Sequence, residues 1–224
     1  MTAATDRKRV AVLISGRGSN MASLIAAAAA PDFPATIALV LSNRPDADGL
    51  VRAREYGVAT AVVDHRAYGK GQPGRAAFDD ALDEALHAAR IDIVCLAGFM
   101  RLLTAPLVER WRGRMLNIHP SLLPAFKGLD VHARMLEAGV RIAGCTVHFV
   151  SAEMDEGPII GQAAVPVLDG DDADSLAARI LAAEHRLYPA CLRLVASGAA
   201  RLDGGQVRCA SAAVVDGVLV NPPA

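Results

Sequence analysis

Aromatic side chains are scarce. Phe, Trp and Tyr make up 4% of the 224 residues, with a single Trp, while the hydrophobic total is 53%. Any core must therefore be filled by Ala, Val, Leu and Ile, and there is enough of them to exclude a disordered chain. Charge of one sign is also missing. Lys plus Arg is 23 against 24 for Asp plus Glu, a net charge of −1. That argues against a general nucleic-acid binder, which needs a basic surplus to displace counterions. No basic run suggests docking to a membrane. The longest apolar stretch, residues 21–30, is about half of the roughly 20 residues a spanning helix needs. The first nine residues have no apolar core and no small-residue cleavage site, so they do not read as a signal peptide.

Ligand clusters for metals are absent too. The four cysteines stand at 95, 145, 191 and 209, with no CxxC unit. Cys95 and Cys145 fall inside apolar runs, as reduced core thiols of a cytoplasmic protein would. The six histidines, at 65, 87, 119, 132, 148 and 185, form neither an HxxxH pair nor an HxH step, so no metal is expected. The GxSxG elbow of serine hydrolases and the Gly-Lys-Ser/Thr of a P-loop are both missing.

What is present is a strand–helix rhythm. Apolar runs at 9–15, 36–41, 60–63, 91–96 and 115–118 read as buried parallel strands. Between them, 19–30, 47–56, 75–90 and 106–111 read as helices, and 65–74 as a polar loop with three glycines and a proline. The alternation predicts an α/β fold: a Rossmann-like, mostly parallel twisted sheet with helices on both faces. After residue 118 the style changes. Residues 131–138 read as a helix, 145–150 and 158–167 as strands that pair, and 172–195 as a long helix bent or interrupted at Pro189. The turn dipeptides Asp203-Gly204 and Asp216-Gly217 predict small antiparallel strands in the tail. The expected organisation is a flexible start at 1–8, one domain at 9–197 divided near 118, and a strand-rich tail at 198–224.

Four segments carry candidate chemistry. Gly16-Arg17-Gly18-Ser19-Asn20 follows a strand and opens a helix, where backbone N–H groups can receive an anion. The third glycine of a dinucleotide fingerprint is replaced by Met21, and Ser42-Asn43 stand where an acidic ribose ligand would. One terminal phosphate suits this loop better than a dinucleotide, and a tight turn without ligand also accounts for it. In Asn117-Ile118-His119-Pro120, an extended strand end aims the carboxamide and the imidazole the same way. Such a pair can hold an oxyanion and move a proton, or simply cap the strand. Asp155, on a loop before Gly157-Pro158, matters only if it folds back to His119. His148 shares its face with Thr146 and Val150 and reads as a packed structural histidine or a catalytic one. Glu184 falls within the apolar stripe of Leu176, Ile180, Leu187 and Cys191, so it needs a ligand or a partner, such as a salt bridge to a neighbouring Arg. Ser121, between two prolines, reads as a nucleophile or as a hydroxyl that only holds its loop.

These segments occur in one order: Leu13 to Asn20, Leu96-Ala-Gly-Phe-Met-Arg101, Leu116-Asn-Ile-His-Pro-Ser-Leu-Leu-Pro124, Val147-His-Phe-Val150, Asp155, and Glu184-His185 with Tyr188-Pro189. Together they closely resemble the phosphoribosylglycinamide formyltransferase family over residues 9–197. The resemblance implies direct attack of a glycinamide amine on the formyl carbon of 10-formyltetrahydrofolate, without metal or covalent adduct. It implies catalytic roles for Asn117, His119 and Asp155, with the first two on the oxyanion. It implies phosphate and ribonucleotide contacts from Gly18, Ser19, Asn20 and Glu184. Folate contacts would come from Arg75, Met100, Arg101, Leu102, Leu103, Asn117 and the run Ser151, Ala152, Glu153, Met154 and Asp155. The partners implied are small molecules, with no nucleic acid and no membrane, and a monomer or weak homodimer.

Three rivals remain. A formyltetrahydrofolate hydrolase shares the Asn–His–Asp trio but adds an N-terminal regulatory domain, for which the early first strand leaves no room. A methionyl-tRNA formyltransferase adds a C-terminal domain and a basic surface. A non-catalytic nucleotide-binding module would use the anion loop alone.

Overall fold

The computed structural model describes residues 7–209. Strands β1 (Lys8–Ile14), β2 (Ala35–Ser42), β3 (Thr60–Val62), β4 (Ile93–Leu96) and β5 (Met115–His119) pair in parallel. Then β6 (Ile142–Phe149) joins β5 antiparallel, and β7 (Ile159–Pro166) joins β6 antiparallel. The sheet order is β3-β2-β1-β4-β5-β6-β7. Order reverses between β1 and β4, which leaves a crevice at their carboxyl ends. A mostly parallel sheet covered by helices, with an antiparallel flank and a long last helix, is the architecture expected from the sequence.

Alternation along β1 shows why these runs are strands. Val10, Val12 and Ile14 pack with helices α1 (Ser19–Ala28), α2 (Asp48–Glu55) and α6 (Ala173–Ala196) on one face. Ala11 and Leu13 pack with α3 (Gly71–Ala88) and α4 (Ala105–Arg110) on the other. A short α5 (Val131–Glu137) and the start of α6 close a third cluster over β6 and β7. Tyr188 of α6 is fully buried. Its hydroxyl lies 3.0 Å from the Leu96 carbonyl and 3.1 Å from that of Leu116, against the ends of β4 and β5.

Two local expectations are corrected. Residues 65–74 are not all loop: His65–Tyr68 form a 3-10 turn and α3 already starts at Gly71. Pro73 sits in the first helical turn, where its missing N–H costs nothing. Gly74 has to be small, since a Cβ there would lie 2.7 Å from the Gly69 carbonyl carbon. The last helix is likewise continuous through Pro189. The proline costs one helical hydrogen bond, while buried neighbours on both sides, Tyr188, Cys191 and Leu192, hold the rod in place. That helix begins with reciprocal bonds between Asp172 and Ser175. In the tail, β8 (Ala200–Asp203) and β9 (Gln206–Cys209) pair antiparallel across Asp203-Gly204. The second turn, Asp216-Gly217, lies outside the described residues.

Candidate active site

Strand β5 faces the α1 and α6 layer with Leu116 and Ile118. Asn117 and His119 therefore point to the opposite face. In the antiparallel neighbour, His148 stands directly across from Asn117, and Thr146 across from His119. Four polar side chains thus share one patch of the sheet, and beside them the Gln162 amide of β7 donates to Thr146 Oγ1 at 3.0 Å. Two loops cover it. In the loop after β5, Ser121 is fully buried and donates its hydroxyl hydrogen to the Ala125 carbonyl at 2.6 Å, the loop-holding role expected of it. Thr146 Oγ1 accepts from the Leu123 N–H and donates to the Ser121 carbonyl.

The loop after β6 carries Asp155 back to this patch. Asp155 Oδ2 accepts the Gly128 N–H at 2.9 Å and lies 3.4 Å from His119 Nδ1. Its other oxygen is 3.9 Å from His148 Nε2. His119 Nε2 is 2.9 Å from the Phe126 carbonyl. Each nitrogen of the His119 ring thus faces an acceptor, and a proton on either one is held. His148 is different. Its Nδ1 donates to the Phe149 carbonyl at 2.9 Å, which leaves Nε2 as an acceptor for the Asn117 amide at 3.2 Å. Burial pushes the His148 pKa down, so the ring stays neutral and keeps that lone pair. One N–H of Asn117 is committed to His148, and the second has no hydrogen-bond partner among the described residues.

The anion loop opens on the crevice between β1 and β4. Gly18 takes a left-handed conformation, φ 69 and ψ 38, as the residue before α1. The loop backs onto α2, where the Gly49 N–H donates to the Gly16 carbonyl at 3.0 Å. A cleft of about 500 Å³ there is lined by residues 15–20 together with Asn43, Arg44, His65, Met100 and Arg101. Its charged side chains are cationic, with no carboxylate among them. Asn20 is nearly buried, and its amide donates to Glu184 Oε2 at 2.7 Å while its own oxygen has no partner among the described residues. Glu184 is therefore answered by an amide, not an arginine. Burial pushes its pKa up against the opposing pull of that bond.

The remaining expected folate contacts divide between two places. Met100 and Arg101 line the first cleft. Ser151, Ala152 and Glu153 line a second of about 560 Å³, with Val108, Phe149, Val150 and Leu202. Leu103 packs against the same core cluster as Val150. Met100, Leu102 and Met154 are 67%, 57% and 54% exposed. Arg75, in the second turn of α3, lines neither cleft. Sequence reasoning missed Ser15, Arg44 and His65 as cleft residues. Asn43 was visible only as the residue standing where an acid was absent.

The fold and this patch put the protein among the doubly wound α/β proteins, which gather ligands at the carboxyl ends of parallel strands. Comparison with known proteins narrows the class. The chain belongs to the formyl transferase family, whose profile matches residues 8–192. It is 43% identical to the phosphoribosylglycinamide formyltransferase of Escherichia coli over 202 residues, 87% of this chain and 93% of that one. It is 50% identical over 196 residues to the human trifunctional purine biosynthetic protein adenosine-3, covering 88% of this chain but only 19% of that much longer protein. The solved glycinamide ribonucleotide transformylase 1 of Symbiobacterium toebii superposes with a TM-score of 0.86 at 51% identity, covering 91% of this chain and 94% of that one.

Proposed function

We propose that the chain transfers the formyl group of 10-formyltetrahydrofolate to the amine of 5-phosphoribosylglycinamide, in purine biosynthesis. The observation that carries this reading is the return of Asp155 to His119 beside Asn117, within one sheet end that also holds the anion loop. The phosphate would rest on the N–H groups of Gly18 to Asn20. Asn20 and Glu184 would receive the polar groups of the ribose, and the donor would lie along 100–103 and 151–155.

The amine nitrogen attacks the formyl carbon and the carbonyl electrons move onto oxygen. The free N–H of Asn117 donates to that oxyanion. The His119 ring, oriented by Asp155 at Nδ1 and with Nε2 turned from the Phe126 carbonyl, gives a proton to the departing folate nitrogen; the amine's proton passes through water to the Asp155 carboxylate, which returns it to His119. The carbon–nitrogen bond to folate then breaks as the oxyanion collapses, leaving formylglycinamide ribonucleotide and tetrahydrofolate. His119 can serve the oxyanion itself only by releasing the Phe126 carbonyl, so Asn117 is the principal oxyanion donor in this reading.

Turnover of formyl-folate with and without glycinamide ribonucleotide tests it. Transfer that requires the amine supports the proposal. Release of formate without it would support a hydrolase, and no turnover in either case a binding module.

A further inference from the structure

Residues 101–104, between β4 and α4, have no regular secondary structure. A stretch without ladder hydrogen bonds that still presents Met100 and Leu102 to solvent must be held some other way. Two buried side chains hold it. The Met100 N–H donates to Ser15 Oγ at 2.8 Å, and the Thr104 N–H donates to Asp79 Oδ2 at 2.6 Å. Ser15 is 8% exposed and Asp79 1%. Neither is a sequence neighbour of the segment. Ser15 directly follows β1, and Asp79 lies in α3.

Each post is itself supported. The Ser15 hydroxyl donates to Asn43 Oδ1 at 2.6 Å, and the Asn43 carbonyl lies 2.8 Å from His65 Nδ1. Asp79 is the costlier element. Its second oxygen is buried with no hydrogen-bond partner among the described residues. A carboxylate kept half-satisfied in a core is expensive, and among the described residues the hydrogen bond it makes is the one that holds Thr104.

We propose that Ser15 and Asp79 are positioning residues of the formyl-donor site, fixing the two ends of the 100–104 segment so that its side chains meet the donor already arranged. The inference rests on the reading of residues 100–103 as donor contacts. Neither residue touches the donor; both act through backbone amides. A segment that had to order itself on binding would subtract that cost from affinity.

The test uses the whole chain and three variants: Ser15→Ala, Asp79→Ala, and Asp79→Asn, which keeps an acceptor oxygen for Thr104. Hydrogen exchange of a peptide spanning residues 99–105 is followed by mass spectrometry, alongside the two KM values and kcat. Ser15→Ala and Asp79→Ala should each speed exchange and raise donor KM about five- to tenfold, the scale of one buried hydrogen bond. For Asp79→Ala, whose residue lines neither cleft, the glycinamide ribonucleotide KM and kcat should move by less than about twofold. Asp79→Asn should stay near wild type on every readout. Unchanged exchange in folded Ser15→Ala would overturn the clamp. Faster exchange with unchanged donor KM would overturn the proposal by removing residues 100–103 from the donor site. A comparable rise in both KM values with a fall in kcat in folded Asp79→Ala would reduce Asp79 to a general structural role and overturn the proposal. If Asp79→Ala does not fold, Ser15→Ala and Asp79→Asn decide.

Discussion

Replacing Gly18 by alanine strains the anion loop from two directions. The residue has φ 69, a left-handed angle that costs an L-residue about 1–2 kcal/mol. The added Cβ would also lie 3.2 Å from Gly49 Cα and 3.2 Å from Met21 Cε. The methionine can yield, but Gly49 Cα is backbone and belongs to α2. The methyl therefore presses on the rear of the loop, not into the cleft where the phosphate would sit. If the loop keeps its conformation, the strain is read as lost stability. If it relaxes, recovering the binding form is charged to affinity. The two losses together should reach about 1–2 kcal/mol or more, and the affinity share alone is at most about five- to thirtyfold. Gly49→Ala gives an independent check, since its Cβ would overlap Ile14 Cδ1 and lie 2.9 Å from the Gly16 carbonyl. It should weaken the same ligand from behind the loop, through the Gly16 carbonyl, at about 1–3 kcal/mol of overpacking. Calorimetry with glycinamide ribonucleotide and with formyl-folate, and denaturant melts of both variants, supply the numbers. Equal weakening of both ligands, or of formyl-folate alone, would refute the assignment of the phosphate to this loop.

Asn117→Ala removes the free oxyanion donor and should lower kcat by about 10²-fold or more; steady-state rates near wild type would move that role elsewhere. Glu184 has a folded pKa raised by burial, so the folded chain holds its proton more tightly than the unfolded chain does. Stability should therefore fall as pH rises from the ordinary glutamate range through the raised value, and Glu184→Gln should flatten that slope in denaturant melts while weakening ribonucleotide binding. Cys95, Cys145 and Cys191 are buried with thiols pushed up to about 12, whereas Cys209 is exposed. An alkylating reagent should label Cys209 in the native protein and the other three only after unfolding, counted by mass spectrometry. Because no three His, Cys, Asp or Glu gather to hold an ion among the described residues, chelator should leave turnover unchanged, and activity restored by added zinc or magnesium would contradict this.

Much of the sheet was legible because a strand buried on both faces advertises itself as a short apolar run between glycines and polar caps. The same rule placed Asn117 and His119 on one face. Helix ends were harder. Gly71-Gln72-Pro73-Gly74 carries every local sign of a turn, yet it opens a helix, and the Gly69 backbone packs so close to position 74 that no side chain fits there. Asp155 could not be read locally, since an acid on a loop is ordinarily solvated. Its 10% side-chain exposure comes from Gly128 and His119, both more than 25 residues away. Ser15, Asn43 and His65 were invisible for a stronger reason: three separate strand ends must meet before they form anything.

The antiparallel join of β5 and β6 makes this site depend on length as much as on composition. Asn117 faces His148, and His119 faces Thr146, only in the present register. Deleting one residue from β6 upstream of Thr146 would turn Cys145, Val147 and Phe149 toward the loops and send Thr146 and His148 into the apolar layer. Every side chain of the patch would still be encoded, yet none of the β6 members would be in place. Insertions and deletions should therefore be tolerated at the Asp203-Gly204 turn and excluded from β6, a pattern that a library of single-codon deletions would read out directly.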